Sequence, residues 1–142
     1  MLPLDITTLL AFYRETETIA FVGASNDELK QANKIPKYMR SQHFRVIPVN
    51  PTADEVLGEP AFRSLSEITE LVDVVDVFRP AEEAPAIAAD AVAIGASVLW
   101  LQLGIVSEEA SEIATAGGLT VVMDACIGAV HRKLVRRHGL TT

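Results

Sequence analysis

The sequence predicts an α/β domain in which a parallel sheet is covered by helices on both faces. Five short apolar segments alternate with stretches of helical pattern along the chain. Segments that are apolar at nearly every position are typical of strands buried on both faces of a parallel sheet. Right-handed crossover connections then make a doubly wound (Rossmann-like), five-stranded sheet the expected topology.

The first half of the chain begins with an amphipathic helix, whose apolar residues recur at helical spacing: Ile6, Leu9, Leu10 and Tyr13. Residues 18–22 form the first predicted strand, which ends at Gly23, and a polar stretch follows to residue 33. Pro36 suits the first turn of a helix, so we expect a helix from that point to about residue 43. Residues 44–49 form the second predicted strand, and a short helix is expected near 65–68.

The second half alternates more regularly between strands and helices. The apolar runs predict strands at 72–78, 98–103 and 119–123. An alanine-rich helix is expected over 81–94, closed by Gly95. Ser107 and the two acids after it open the next helix, and a basic helix covers 127–138.

Composition limits the class of protein. The 142 residues are expected to form a single domain, with 49% hydrophobic residues to fill its core. A formal net charge of −7 argues against nucleic acid or an anionic membrane as the main partner. One cysteine excludes an intrachain disulfide, which favours a reducing, cytoplasmic setting. No apolar run approaches the roughly 18 residues of a membrane helix, and the first residues lack a signal-peptide pattern.

Small and polar residues follow the predicted strands, at the edge where doubly wound sheets bind their ligands. The candidate site residues are Gly23, Ala24, Ser25 and Asn26, then Asn50 and Pro51, then Phe78, Arg79 and Pro80, and finally Gln102, Leu103 and Gly104. Such residues are also common in ordinary turns, so each loop taken singly has that alternative explanation. Their joint placement on one edge favours a binding site.

The loop after the first strand does not have the pattern of a dinucleotide site. Gly23 permits a tight turn and the approach of a ligand, but Ser25 and Glu28 stand where the second and third glycines of G-x-G-x-x-G belong. The second strand ends without the acid that holds a nicotinamide ribose. Four nearby bases would suit additional phosphate charge, or are ordinary solvated side chains: Lys30, Lys34, Arg45 and Arg79.

The sequence offers no catalytic or metal-binding constellation. Asp73 and Asp76 are three apart on one strand, so they face opposite sides and form no acid pair. Cys126 has no histidine base beside it, since His131 lies beyond the next helical turn, and we expect a small buried thiol. Three scattered histidines and one cysteine do not predict a metal site.

Several of these segments together resemble one protein family. The segments are Val-Ile-Pro-Val-Asn-Pro at 46–51, Val-Asp-Val-Val-Asp-Val-Phe-Arg at 72–79, Val-Leu-Trp-Leu-Gln-Leu-Gly at 98–104, Val-Met-Asp-Ala-Cys at 122–126, and His131-Arg132. The chain resembles the small stand-alone CoA-binding proteins, which are related to the N-terminal Rossmann-like domain of the succinyl-CoA synthetase alpha subunit. The resemblance covers about 18–134, which leaves 1–17 as an added N-terminal helix.

The resemblance implies that coenzyme A binds in the crevice at the strand ends. The loop from Gly23 to Asn26 would wrap the CoA phosphates, with Lys30 standing where the family often has arginine. Arg45 stands where the synthetase domain has a basic residue that contacts CoA. Asn50 and Pro51 would line the nucleotide site. Two further segments would border the rest of the ligand, namely Phe78 to Pro80 and Gln102 to Gly104.

The first functional hypothesis is a binding module for CoA or an acyl-CoA without catalysis of its own. The synthetase needs a further domain with a phosphorylated histidine and an ATP-grasp partner, and neither fits in 142 residues. The second hypothesis is an NAD(P)-type Rossmann nucleotide-binding or redox-sensing protein. The third is a non-enzymatic partner subunit of a separately encoded acyl-CoA enzyme. A protein partner or a homo-oligomer is compatible with the first and third.

Overall fold

Five parallel strands form one sheet in the computed structural model, which describes residues 5–141. In chain order the strands are β1 (Thr18–Val22), β2 (Arg45–Val49), β3 (Glu55–Val56), β4 (Glu59–Pro60), β5 (Val74–Val77), β6 (Val98–Leu101) and β7 (Thr120–Val122). The sheet order is β2-β1-β5-β6-β7, whereas β3 and β4 pair separately as a small antiparallel hairpin. The predicted doubly wound, five-stranded parallel sheet is therefore confirmed.

Five helices cover the two faces of this sheet. They are α1 (Ile6–Glu15), α2 (Gln31–Ser41), α3 (Ala84–Ala93), α4 (Glu108–Ala116) and α5 (Ile127–His138). The apolar sides of α1, α2 and α5 pack on one face, in a core that contains Tyr13, Phe21 and Trp100. Helices α3 and α4 cover the other face through alanines such as Ala88 and Ala114, which allow close approach. No helix within residues 5–141 is long and apolar enough to cross a membrane.

Helix α2 begins at Gln31, five residues before the predicted start at Pro36. Proline has no backbone N–H, so inside a helix it leaves the carbonyl four residues earlier without its helical donor. Here that carbonyl belongs to Ala32, and it accepts a hydrogen bond from the backbone N–H of Ser25 at 3.1 Å. A contact from the preceding loop thus replaces the lost helical bond, which explains how Pro36 is accommodated in the helix interior.

Strand β5 is shorter than predicted, because Asp73 lies just outside it. The Asp73 carboxylate accepts the backbone N–H groups of Glu17 and Thr18, both at 2.9 Å, and so fastens the start of β1. Asp76 is inside the strand, between Phe21 on β1 and Trp100 on β6. The two acids therefore have separate roles, as their spacing predicts.

Asp76 is a fully buried acid without a hydrogen-bond partner for either carboxylate oxygen within the described residues. Burial raises the pKa of this carboxyl well above its usual range, because the charged form loses its hydration. A group with a raised pKa in the folded state destabilises the fold as pH rises from the unfolded pKa of about 3.9 toward the folded value. Asp76 therefore costs stability at neutral pH.

Asp76→Asn should increase the free energy of unfolding relative to the parent chain, and the increase should grow with pH. The amide has nearly the shape of the protonated acid and never ionises, so the difference should rise by up to about 1.4 kcal/mol per pH unit above pH 4. Urea denaturation of both chains from pH 4.5 to 8 measures it. The control is Asp90→Asn on the exposed side of α3. A pH-independent difference for Asp76→Asn would contradict this account.

Candidate functional site

The carboxyl ends of β1 and β5 form the point where the sheet changes its winding direction. The crossover after β1 passes through α2 on one face, and the crossover after β5 passes through α3 on the other. Adjacent strands whose connections leave in opposite directions open a crevice between the two loops. The predicted edge residues that follow β1 and β5 therefore meet at this crevice.

Gly23 brings those two loops into direct contact. Its φ of +93° is a conformation that residues with side chains rarely adopt. A Cβ atom at this position would lie 3.0 Å from the Phe78 carbonyl oxygen and 2.9 Å from Cδ of Arg79. The atoms of the next strand loop fill the space on the Cβ side of Gly23, whereas the approach of a ligand to its Cα stays a prediction. Glycine is needed here by the fold itself.

The loop after Gly23 is fastened to the start of α2. The Ser25 N–H donates to the freed carbonyl of Ala32, and the Ser25 carbonyl accepts from Nδ2 of Asn33 at 2.9 Å. The Ser25 hydroxyl accepts the N–H of Asp27 at 3.0 Å, which tightens the turn. Asn33 is buried, and it was not among the predicted site residues. The one feature of the sequence that points to Asn33 is its position at the end of the polar stretch that follows β1.

Two predicted site residues use their amide groups within the protein. Asn50 donates from Nδ2 to the Ala24 carbonyl at 3.0 Å, while its Oδ1 accepts the N–H groups of residues 52 and 53. Asn26 donates to the Glu55 carbonyl at 2.8 Å and accepts the Leu57 N–H at 3.2 Å. Asn26 and Asn50 thus join the loop after β1 to the segment after β2. They hold the shape of the crevice wall.

The far side of the crevice is built around the end of β6. Gln102 is buried, and its Oε1 accepts the N–H of Ile127 at 3.0 Å, which sets the start of α5. The Gly104 N–H donates to Asp124 at 2.7 Å, so the loops after β6 and β7 are also tied. Leu103 between them is 70% exposed.

Two cavities flank this edge of the sheet. The smaller, of about 160 Å³, includes Gly23 and Pro51 in its wall and has Arg63, Arg79 and Glu83 at its polar side. The larger, of about 460 Å³, lies between α2 and α5 and is mainly apolar. Its lining includes Phe78, Gln102, Leu103, Cys126 and Arg132. Arg63 and Arg132 were not among the predicted site residues.

Besides Arg63 and Arg132, positive charge reaches this edge from Arg79, from Lys30 and from the start of α2. Arg79 follows β5 and donates two hydrogen bonds to Glu83, at 3.1 and 2.7 Å, which raise the pKa of its guanidinium. Lys30 is exposed at the residue before α2. Helix α2 begins here without a capping side chain, so its first N–H groups are open to an anion, whereas the first N–H of α5 donates to Gln102. Pro80 immediately precedes the 3-10 turn that carries Glu83.

Arg45 is not brought to the crevice. It is the first residue of β2, and the site lies beyond the last, so about 13 Å of strand separates them at ~3.3 Å per residue. Its guanidinium donates to Glu70 at 2.8 and 3.3 Å, which raises the pKa of Arg45 and lowers that of Glu70. A separate cavity of about 500 Å³ adjoins it at the amino edge. A ligand in the crevice would not reach Arg45, so the predicted contact with CoA would require a ligand at the amino edge.

The side chains that could act in catalysis or bind a metal do not cluster within the described residues. Cys126 is partly exposed at the start of α5, rather than the buried thiol we expected. His131 is buried on the same helix, with Nδ1 2.8 Å from the Tyr38 hydroxyl, and burial lowers its pKa. Across residues 5–141, no cluster of three histidine, cysteine or acidic side chains is arranged to hold a metal ion.

Comparison with known proteins places most of the chain in one family. The family model described as a CoA binding domain matches residues 17–132. The uncharacterized protein YneT of Bacillus subtilis is 40% identical over 118 residues, which cover 83% of this chain and 87% of that protein. A hypothetical protein from Pyrococcus horikoshii OT3 has a similar structure, with a TM-score of 0.90 and 32% identity, over 93% of each chain.

A longer enzyme also contains a related segment. Acetate–CoA ligase (ADP-forming) I of Archaeoglobus fulgidus is 30% identical over 130 residues, which cover 83% of this chain and 19% of the ligase. This chain therefore spans about a fifth of that enzyme.

Pro36→Ala tests how the first loop is held. Alanine restores a helical N–H for the Ala32 carbonyl, which then competes with the Ser25 amide. We expect amide hydrogen exchange at Ser25 to accelerate about threefold to tenfold, while exchange in the middle of α2 slows. Two-dimensional NMR measures both. Lys34→Ala, on the exposed face of α2, is the control and should change neither. Unchanged exchange at Ser25 would show that the loop does not depend on this carbonyl.

Proposed function

This chain belongs to the CoA binding domain family, and from that premise we propose that it binds coenzyme A or an acyl-CoA at the carboxyl edge of its sheet. The observation that carries the proposal is the meeting of the loops after β1 and β5 at Gly23 and Phe78, with a cavity on either side. An elongated ligand that crosses this point reaches both cavities. CoA has that form, with a phosphorylated nucleotide at one end and a thiol-bearing arm at the other.

The two cavities differ in character, and each suits a different end of CoA. The smaller cavity has Arg79 at its side and would take phosphate oxygens, since guanidinium binds phosphate by paired hydrogen bonds. Gln31, the first residue of α2, lines the larger cavity, so Lys30 and the open start of α2 add positive potential on that side. The larger, mainly apolar cavity beside Phe78 and Leu103 would take the less polar arm.

The proposal assigns binding to this chain and leaves catalysis to other proteins. The ligase relative is about five times longer than the matched segment, so its reaction depends on parts that this chain does not contain. A separately encoded enzyme that uses the bound CoA is the partner this comparison suggests. The NAD(P) alternative is less favourable, since Asn50 follows the end of β2 and no acid stands there for a ribose.

Calorimetry should show that CoA binds more tightly than NAD or NADP at the same salt concentration. Equal salt is needed because contacts with phosphate weaken as ions screen them. If NAD binds more tightly than CoA, the nicotinamide alternative replaces this proposal.

Two arginine variants locate the ligand on the molecule. Arg79→Ala should weaken CoA binding about tenfold to a hundredfold, the effect of losing a charged hydrogen bond of about 1.5–3 kcal/mol. Arg45→Ala is the matched control at the opposite edge and should leave the dissociation constant unchanged. Each variant is measured after circular dichroism shows that it is folded. A larger loss for Arg45→Ala than for Arg79→Ala would move the ligand to the amino edge of the sheet.

A further inference from the structure

Arg79 at the crevice is engaged by one carboxylate. Its Nε and one terminal nitrogen donate to the two oxygens of Glu83, at 3.1 and 2.7 Å. Within residues 5–141 the guanidinium makes no other hydrogen bond. The two donors on this side are those with which an arginine grips a phosphate by paired hydrogen bonds. Glu83 therefore occupies one of the two edges at which Arg79 could hold a phosphate by paired hydrogen bonds, the edge that includes Nε.

Glu83 belongs to the same cavity wall as Arg79. It ends the 3-10 turn Ala81–Glu83 and immediately precedes α3. Both side chains line the smaller cavity beside Gly23 and Pro51. A ligand phosphate that enters this cavity meets the carboxylate and the guanidinium together, so it must either separate them or be repelled by Glu83.

The ion pair between Arg79 and Glu83 is weak enough for a ligand to separate. The Arg79 and Glu83 side chains are 41% and 47% exposed, and exposed ion pairs are weak because water solvates both charges well. Arg63, the other arginine at this cavity, is held differently. It donates to the Pro51 carbonyl and pairs with Asp54, so its release would also disturb the backbone after β2. Arg79 is the arginine that can change partners at little cost.

We propose that Glu83 is a built-in competitor for the phosphate of the ligand, which holds Arg79 in the empty crevice and lowers the affinity for CoA. The inference rests on the proposed function and adds to it a residue that sets the strength of binding. Binding then exchanges one partner of Arg79 for another, a carboxylate for a phosphate. In the opposite role, Glu83 would position Arg79 for the ligand, and the loss of Glu83 would then weaken the binding of CoA.

Glu83→Gln tests the proposal, with Glu82→Gln as the matched control. Both changes remove one negative charge from the same turn, but Glu82 is exposed and makes no ion pair or hydrogen bond within the described residues. Relative to Glu82→Gln, we expect Glu83→Gln to bind CoA about twofold to fivefold more tightly, the fold-change that corresponds to an exposed ion pair. The melting temperatures of both variants should stay close to that of the parent chain.

A second measurement isolates Arg79 as the cause. In an Arg79→Ala background, Glu83→Gln should bind CoA no more tightly than Glu82→Gln, because the guanidinium for which Glu83 and the phosphate compete is absent. Equal affinities of the two glutamine variants in the parent background would overturn the proposal, and weaker binding by Glu83→Gln would assign the positioning role instead. A gain that persists without Arg79 would also overturn it. A parent chain that binds no CoA overturns the proposed function itself, which distinguishes the two failures.

Discussion

The crevice depends on one close approach, between the Cα of Gly23 and the carbonyl of Phe78. A Cβ atom at residue 23 would stand 3.0 Å from that oxygen, and the φ of +93° is itself unfavourable for a side chain. This contact sets the separation of the loops after β1 and β5, and hence the place of Arg79 and of both flanking cavities. The hydrogen bonds of Ser25, Asn26 and Asn50 then hold the remaining wall around a geometry that the glycine permits.

The sequence predicted the sheet well, because strands that are buried on both faces need apolar residues at nearly every position. β5 and β6 are buried throughout, and their apolar runs were correspondingly clear. The start of α2 was predicted wrongly, because proline is usually found in the first turn of a helix. Pro36 lies further inside α2 because the Ser25 N–H donates to the Ala32 carbonyl that the proline leaves free. The path of the loop that carries Ser25 does not follow from the sequence. Arg45 is near Asn50 in sequence, yet an extended strand carries it to the opposite edge. Side-chain partners such as Glu83 for Arg79 depend on turn geometry and could not be predicted.

The net charge of −7 describes the whole chain but not the surroundings of the crevice. From residue 80 to residue 130 the sequence has no lysine, arginine or histidine, so the layer of α3 and α4 is acidic. Helices α2 and α5 contain no acid and together carry seven of the twelve lysines and arginines. The crevice lies where these two layers meet at the sheet edge. A strongly anionic ligand therefore meets a favourable local potential on one side only, and the acid count alone would have argued against such a ligand.

The hairpin of β3 and β4 supports one wall of the crevice, so its length can affect the shape of the crevice. Its backbone at Glu55 and Leu57 supplies both partners of the Asn26 amide, so a small excursion outside the main sheet supports the wall of the crevice. Lengthening or shortening that excursion would shift the loop after β1 even though no central strand changes. Homologues with hairpins of different length can therefore differ in what they accept at the crevice while their sheets superimpose. A change in this peripheral segment would therefore reshape one wall of the crevice and leave the five central strands as they are.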